Sequence, residues 1–408
     1  MRIPDDTLRY IKSFLLCSDR SEDLRLIAYT AEPSVYRGHP LAIIPCQSLK
    51  PVPEFSFLDG IPVFHGTPLV TRDGDTILLH ADFVATAFYL LSRYDEYGSV
   101  APLDAHSRFL PANSLLGSNR LLQTPVLDLY TGFIYKLLNR SKPHRPSHIY
   151  LTHDIDTVTH YHRPRGFLGG LFRTLKGSNP DSLSSVFRSL FSLRDDPAYT
   201  FPLIARLDNM LPDARIIYFA KPDCTPFSPL DRPLYSHRSS AFRTLTHLSM
   251  GLHSLYRTYD HPETLHEQFS SIMRLPRHNT FHRSHYLRIL PPTLMHLYSD
   301  AGITDDFSLA YASAPGFRLG TARPSRAIDP SDGRLLPLTH HPLTLMDTTL
   351  SDPRYLHLCK DEAYTLATSL IDTTLRHEGD VTLLFHNTSF HPSSYHQSLY
   401  TSLIKHLI

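Results

Sequence analysis

The chain has 408 residues, more than one hydrophobic core normally supports, so two domains are the starting expectation. Lys and Arg number 40 against 39 Asp and Glu, a balance that gives no reason to expect nucleic acid as a partner. Hydrophobic residues at 41% and charged residues at 19% describe an ordinary globular protein, with neither a disordered composition nor an apolar run long enough for a membrane span.

The N-terminus, MRIPDDTLRYIKSFLL, carries Pro4, Asp5 and Asp6 where a signal peptide needs a positive region and an apolar core, so a soluble, cytoplasmic protein is expected. Four cysteines, Cys17, Cys46, Cys224 and Cys359, lie far apart without a CxxC spacing and read as reduced thiols. Residues 1–140 read as a smaller α/β or α+β domain. LAIIPC and IPVFHG are short buried strands, and ADFVATAFYLLSRYDEY is an amphipathic helix with Phe83, Ala87, Leu90 and Leu91 on one face. TPVLDLYTGFIYKLLNR is a second helix, followed by a polar linker, SKPHRPSH. The boundary falls there, with a second domain over 147–408.

From Ile149 onward apolar runs recur: IYLTHD, ARIIYFAK, HLSMGLH, NTFHRSHYLRI, GFRLGT, LTLMDTTL and DVTLLFHN. Several end in reactive side chains, among them Lys221, Asp347 and His386. Strands that stop at such residues, with helices between, describe an α/β barrel or open parallel sheet whose carboxyl ends form the site. An insertion over residues 157–210 is expected to hold two helices and to shape a substrate groove.

In IYLTHDIDTVTHYH a β-branched run drives into two carboxylates two positions apart. Strand alternation turns Asp154 and Asp156 the same way, with Ile155 opposite. Two like charges on one face ask for a cation, and a metal ion is the usual one. One carboxylate would then bind the ion while the other takes a proton from metal-activated water; a solvated strand end or a helix cap is the plainer alternative. His253, in MGLHSLYR, suits zinc, nickel or cobalt as a neutral imidazole, or is a histidine bonded to backbone. In RHNTFHRSHYLRI, if extended, Arg283 and His285 share a face and can set a metal ligand beside an anion-stabilising guanidinium; a basic surface loop is the alternative. His386, closing VTLLFHN, can protonate a leaving group if a neighbouring carboxylate holds its ring.

The order of LTHDID, GLHS, RSHYL, AGITDDFSLAY…GFRLGT, LTLMDTTL and TLLFHN resembles bacterial polysaccharide deacetylases of carbohydrate esterase family 4. More closely it resembles a branch with an added N-terminal domain, to whose signature IPVFHGT…DFVATAFYLLSRYDEY is similar, so the resemblance spans nearly the whole chain. It implies a distorted (β/α)7-type barrel and metal-assisted removal of an acetyl group from an N- or O-acetylated sugar or polysaccharide precursor. By that resemblance Asp154 is the base, Asp156 and His253 bind the divalent ion, Arg283 orients Asp154, and His386 is the general acid. Zinc is the first choice of metal, with nickel or cobalt as alternatives, and an acetylated carbohydrate is the partner. Arg318 and Asp306 are candidates for sugar hydroxyls. The chain departs from the family in two places. Ile155 separates aspartates that are usually adjacent, and Arg257 stands where a second metal histidine is usual. An arginine cannot ligate the ion, so His285 is the candidate third ligand. Two alternatives stay open: a catalytically silent carbohydrate-binding or scaffold protein, and a metal-dependent hydrolase of another C–N bond.

Overall fold

The computed structural model describes residues 3–50, 55–162, 164–177, 181–224, 228–232 and 235–408. Two sheets organise it. The first has four strands: β1 (Ile27–Tyr29), β2 (Leu41–Ile43), β5 (Gly66–Asp73) and β6 (Thr76–Ala81), in the order β1-β2-β6-β5. Between β2 and β5 lies a small hairpin, β3 (Ser56–Leu58) with β4 (Ile61–Val63). LAIIPC and IPVFHG therefore supply β2 and β4, while the sequence pattern does not show β1, β3, β5 and β6.

The helix Phe83–Leu91 differs from its expected amphipathic form, since all nine of its residues are buried. It packs against the helices Asp5–Leu16 and Val126–Leu137 and also against a strand of the second sheet, which leaves no face to water. A helix apolar all round belongs in such a place. Buried side chains of both halves consequently join one continuous core, from Ile3 to Ile404.

The second sheet has nine strands: β7 (Ile149–Ile155), β8 (Arg215–Ala220), β9 (Met250–Ser254), β10 (His278–Ser284), β11 (Asp305–Asp306), β12 (Ser325–Ile328), β13 (Leu335–His340), β14 (Leu345–Met346) and β15 (Val381–Leu384). Their order is β12-β13-β11-β10-β9-β8-β7-β15-β14, all parallel except β12, which runs against β13. No hydrogen-bonded pairing joins β13 to β14 among the described residues. The sheet is a mixed, open one, where the strand pattern left a barrel or an open sheet and the family resemblance implied a seven-stranded barrel. It is nonetheless strongly curled. Four strand spacings separate β7 from β11, about 19 Å if flat, yet the rings of Tyr150 on β7 and Phe307 beyond β11 lie 5.4 Å apart. Phe219 and Phe281 pack on the same Phe307 ring, so aromatic side chains fill the inside of the curl.

Two apolar runs depart from strand. GFRLGT forms turns, with Gly316 and Gly320 at φ of 138° and 67°, and a Cβ on Gly316 would meet the Leu122 carbonyl oxygen at 2.3 Å. LTLMDTTL keeps only Leu345 and Met346 in strand before the helix Asp347–Ser351 begins. The insertion over 157–210 carries three α-helices among its described residues where two are expected: Pro164–Leu175, Leu183–Phe191 and Phe201–Asp208.

Candidate active site

The inside-outside alternation of β7 builds the site. Tyr150, Thr152 and Asp154 face the inside of the curl, where the Thr152 hydroxyl accepts from Arg283 Nη2 at 2.9 Å. His153 and Ile155 face out. His153 is buried there, its Nε2 3.2 Å from Asp208 and its Nδ1 3.1 Å from the Phe385 carbonyl. Asp156 follows the last residue of the strand and stays on the inner side.

Six parallel strands deliver functional groups at their carboxyl ends: Asp154 and Asp156 from β7, Lys221 from β8, His253 from β9, Arg283 and His285 from β10, Asp347 from β14 and His386 from β15. Parallel α/β sheets place ligands there because the strand ends and following loops converge on one crevice. The crevice holds about 340 Å³ and is lined by Asp154, Asp156, His285, Tyr286, His386 and Arg108.

Asp156, His253 and His285 each offer one ligand atom, and these atoms lie within 4.8 Å of one another. His253 Nδ1 donates to the Arg283 carbonyl at 3.1 Å, which leaves the lone pair on Nε2. That nitrogen lies 3.8 Å from Asp156 Oδ1 and 3.7 Å from Asp154 Oδ2. His285 Nε2 lies 3.5 Å from Asp156 Oδ1, and its Nδ1 faces Asp231 Oδ1 at 3.6 Å. Asp156 Oδ1 and His253 Nε2 are both buried without a hydrogen-bond partner. Burial pulls His253 well below the usual imidazole range, so it is neutral and a competent donor. Burial pushes Asp156 upward, but the Lys221 ammonium, 3.3 Å from Oδ1, and the His285 ring outweigh it and hold the carboxyl well below its usual range.

Asp154 is in the opposite state. Burial raises its pKa, and the Arg283 guanidinium, with Nη1 3.9 Å from Oδ1, recovers part of the charge stability. Arg283 is fully buried and lies over the Phe219 ring at 4.8 Å. Across the crevice, His386 Nε2 stands 4.0 Å from Asp154 and 3.9 Å from Asp156. Asp347 grips this histidine twice: Oδ1 accepts from Nδ1 and Oδ2 from the backbone N–H, both at 2.8 Å. Burial works against the imidazolium, yet the Asp347 charge and hydrogen bond raise His386 to about 10. The structure thus brings Asp154, Asp156, His253, Arg283, His285 and His386 together from residues 154 to 386.

Two expected site residues lie elsewhere. Arg318 donates through Nη2 to Glu96 at 2.7 Å and through Nη1 to the Ala310 carbonyl at 2.9 Å, over the Tyr311 ring. Burial pushes the Glu96 carboxyl up, but Arg318 and Arg93 hold it down at about 2. A buried guanidinium needs such a counter-charge, and the Arg318–Glu96 pair joins the two halves outside the crevice lining. Asp306 is also buried, accepting from His282 Nδ1 at 2.8 Å and the Ser308 hydroxyl at 2.6 Å, with His340 at 3.5 Å. This network lies on the outer face of the sheet, away from the crevice. Arg257, where the family's second histidine would stand, directs Nη2 to His261 Nε2 at 2.9 Å.

Two contributors escaped the sequence reading. Asp231, in a proline-bearing loop without any periodic signal, backs His285. Its Oδ1 also accepts the Tyr256 N–H. Arg108 comes from the first 140 residues, held by Asp104 at 2.7 Å, and donates to the Tyr286 carbonyl at 2.8 Å and the Tyr355 hydroxyl at 3.0 Å. Beside it, the His106 carbonyl accepts from Arg288 Nε at 2.7 Å. These bonds bracket Tyr286 and Leu287, which hold left-handed φ values of 61° and 52° directly after His285. Such backbone costs about 1–3 kcal/mol per residue and persists only where its surroundings impose it.

Residues 22–143 match a family of unknown function (DUF7033). No curated protein matches the sequence. Among solved structures, the chain is similar to a crystal structure from Mycobacterium smegmatis of a protein provisionally assigned as a polysaccharide deacetylase. The two share 14% identity at a TM-score of 0.39, over 65% of this chain and 86% of that one. No helix among the described residues is long and apolar enough to cross a membrane.

Proposed function

We propose that the chain is a metal-dependent hydrolase that removes an acetyl group from an N- or O-acetylated sugar or polysaccharide precursor. One observation carries this reading: Asp156, His253 and His285 face one another beside a second carboxylate and a carboxylate-held histidine, at the carboxyl ends of a curled parallel sheet. We read that sheet as a distorted (β/α) barrel left open at one seam, over 147–408, with residues 1–140 as a second unit. The motif order that resembles the deacetylases runs through the same strand ends.

The donor set fits a divalent ion. Two imidazoles and one carboxylate, two of whose donor atoms are buried without a hydrogen bond, suit zinc, and nickel or cobalt accept the same ligands. When bound, such an ion lowers the pKa of water from about 15.7 to about 7 and polarises a carbonyl. The chain's own groups do the rest. Asp154, made more basic by burial, accepts the proton of the attacking water. Arg283 keeps that carboxylate turned into the crevice. His386, protonated through Asp347, delivers a proton to the departing amine or alkoxide.

Chelation tests the reading. Acetate release from N-acetylated oligosaccharides should stop on treatment with a chelator and return when zinc, nickel or cobalt is added back. Purified, metal-soaked protein without bound ion would instead favour the silent carbohydrate-binding alternative. A second expectation concerns the first 140 residues, which by this reading position a ligand. Arg108→Ala should weaken metal affinity by about 10–100-fold, the usual effect of loosening a ligand's support, with the thermal transition little changed. Titration with a competing chelator measures it, and wild-type affinity in that variant would remove the first unit from the site.

A further inference from the structure

The helices Pro164–Leu175 and Leu183–Phe191 turn apolar side chains into solvent. Leu168, Phe172 and Leu175 are 62%, 58% and 68% exposed, and Phe187 and Phe191 are 48% and 88% exposed. They recur at helical spacing, Leu168-Phe172-Leu175 on one helix and Leu183-Phe187-Phe191 on the other, so each helix carries an outward stripe. The opposite faces are already occupied: Gly170 lies against the Tyr161 ring, and Val186 and Ser189 are buried. These two packed helices are therefore not an ordinary amphipathic pair with its apolar side on the core. The pair has a second apolar side, and singly scattered surface residues do not account for it.

Charge identifies what the stripe fits. Residues 164–196 contain Arg165, Arg173, Lys176, Arg188 and Arg194 against Asp181, Asp195 and Asp196, and the acids all lie outside the two helices, neither of which contains an Asp or Glu. Asp181 is held by the Tyr161 hydroxyl at 2.6 Å and by His391 at 3.0 Å. The Lys176 ammonium rests over the Phe172 ring at 4.3 Å, on the flank of the apolar stripe. Exposed Phe and Leu rimmed by Lys and Arg, with no acid on either helix, is the pattern of helices that lie in the interface of an anionic bilayer. A second copy would bring the same positive rim against itself, which electrostatics opposes.

We infer that the helix pair Pro164–Leu175 and Leu183–Phe191 seats the protein on an anionic lipid surface, lying on the membrane without spanning it. The base of the helix pair is fixed beside the crevice. The Asp196 carboxylate accepts the N–H groups of His160, Tyr161 and His162 at 2.9, 2.7 and 3.1 Å, and His160 itself lines the crevice. Seated this way, the crevice opens next to the lipid headgroups. The docking is independent of the reaction and stands or falls separately from it.

The chain has no tryptophan, so Phe191→Trp creates a single reporter. With the full chain, sedimentation with phosphatidylglycerol-containing vesicles is expected, with a blue shift of the Phe191→Trp emission and little binding to phosphatidylcholine alone. The double variant Lys176→Gln/Arg188→Gln should partition roughly thirtyfold less, two basic residues' share of attraction to an anionic surface. Phe172→Ser/Phe187→Ser/Phe191→Ser should not sediment while keeping its circular dichroism. The proposal is overturned if the wild type ignores anionic vesicles, if the serine variant binds as the wild type does, or if light scattering shows a dimer that the serine variant abolishes. The last result would mean that a second copy covers the stripe.

Discussion

Asp156→Ala is expected to lose both the bound divalent ion and the hydrolytic activity, with kcat/KM falling on the order of 10³-fold or more because metal activation of water disappears. Asp156 supplies the only carboxylate of the trio, and catalytic sites of this kind need three protein ligands. The loss is compounded by Lys221. Its ammonium lies 3.3 Å from Asp156 Oδ1 and is almost fully buried. Without the carboxylate, an uncompensated positive charge would stand where a cation must bind. Asp156→Asn keeps the shape and loses the charge, so its metal affinity should fall between the two. Elemental analysis after dialysis, together with acetate release, measures both consequences. An alanine variant with wild-type metal content and full turnover would end the hydrolase reading.

Asp347→Asn should separate proton delivery from metal binding. Asp347 is outside the ligand trio, so metal content should match the wild type. Its loss strikes His386, whose ring and backbone N–H it holds at 2.8 Å each. Removing the carboxylate charge takes away the main influence that raises the imidazole against its burial. A general acid must be protonated to act, so activity falls as pH rises through its pKa. Lowering that pKa moves the alkaline limb of the profile toward lower pH. A kcat loss of about 10²–10⁴-fold, the usual contribution of a positioned acid, is expected with KM little altered. Unchanged kcat in a metal-loaded Asp347→Asn protein would remove His386 from the proposed chemistry.

Much of the candidate site was legible in the chain because its signals are local. A β-branched run into His-Asp-Ile-Asp puts Asp154 and Asp156 on one side by strand alternation alone, and both face the crevice. His253 and His386 were marked by standing at the ends of apolar runs, where parallel strands deliver side chains. His285 was singled out by residue type beside Arg283, although it follows the strand and does not lie in it.

What escaped the reading was set by contacts between distant residues. Arg318 looked available for a sugar, yet burial obliged its guanidinium to find a carboxylate, and the partner was Glu96, 222 positions away. GFRLGT has strand-like composition, but glycines at left-handed φ and the close approach of the Leu122 carbonyl make it a turn. Asp231 and Arg108 carry no periodic signal; each matters because the curl of the sheet brings it against His285 or Tyr286. Residue order marked most of the parallel strands that form the crevice, the shared side of Asp154 and Asp156, and the polar side chains at the strand ends, since these follow from backbone geometry over a few residues. Which charge meets which, and how the first 140 residues join the crevice, depended on packing across the whole chain, where each buried ion had to find its counterpart.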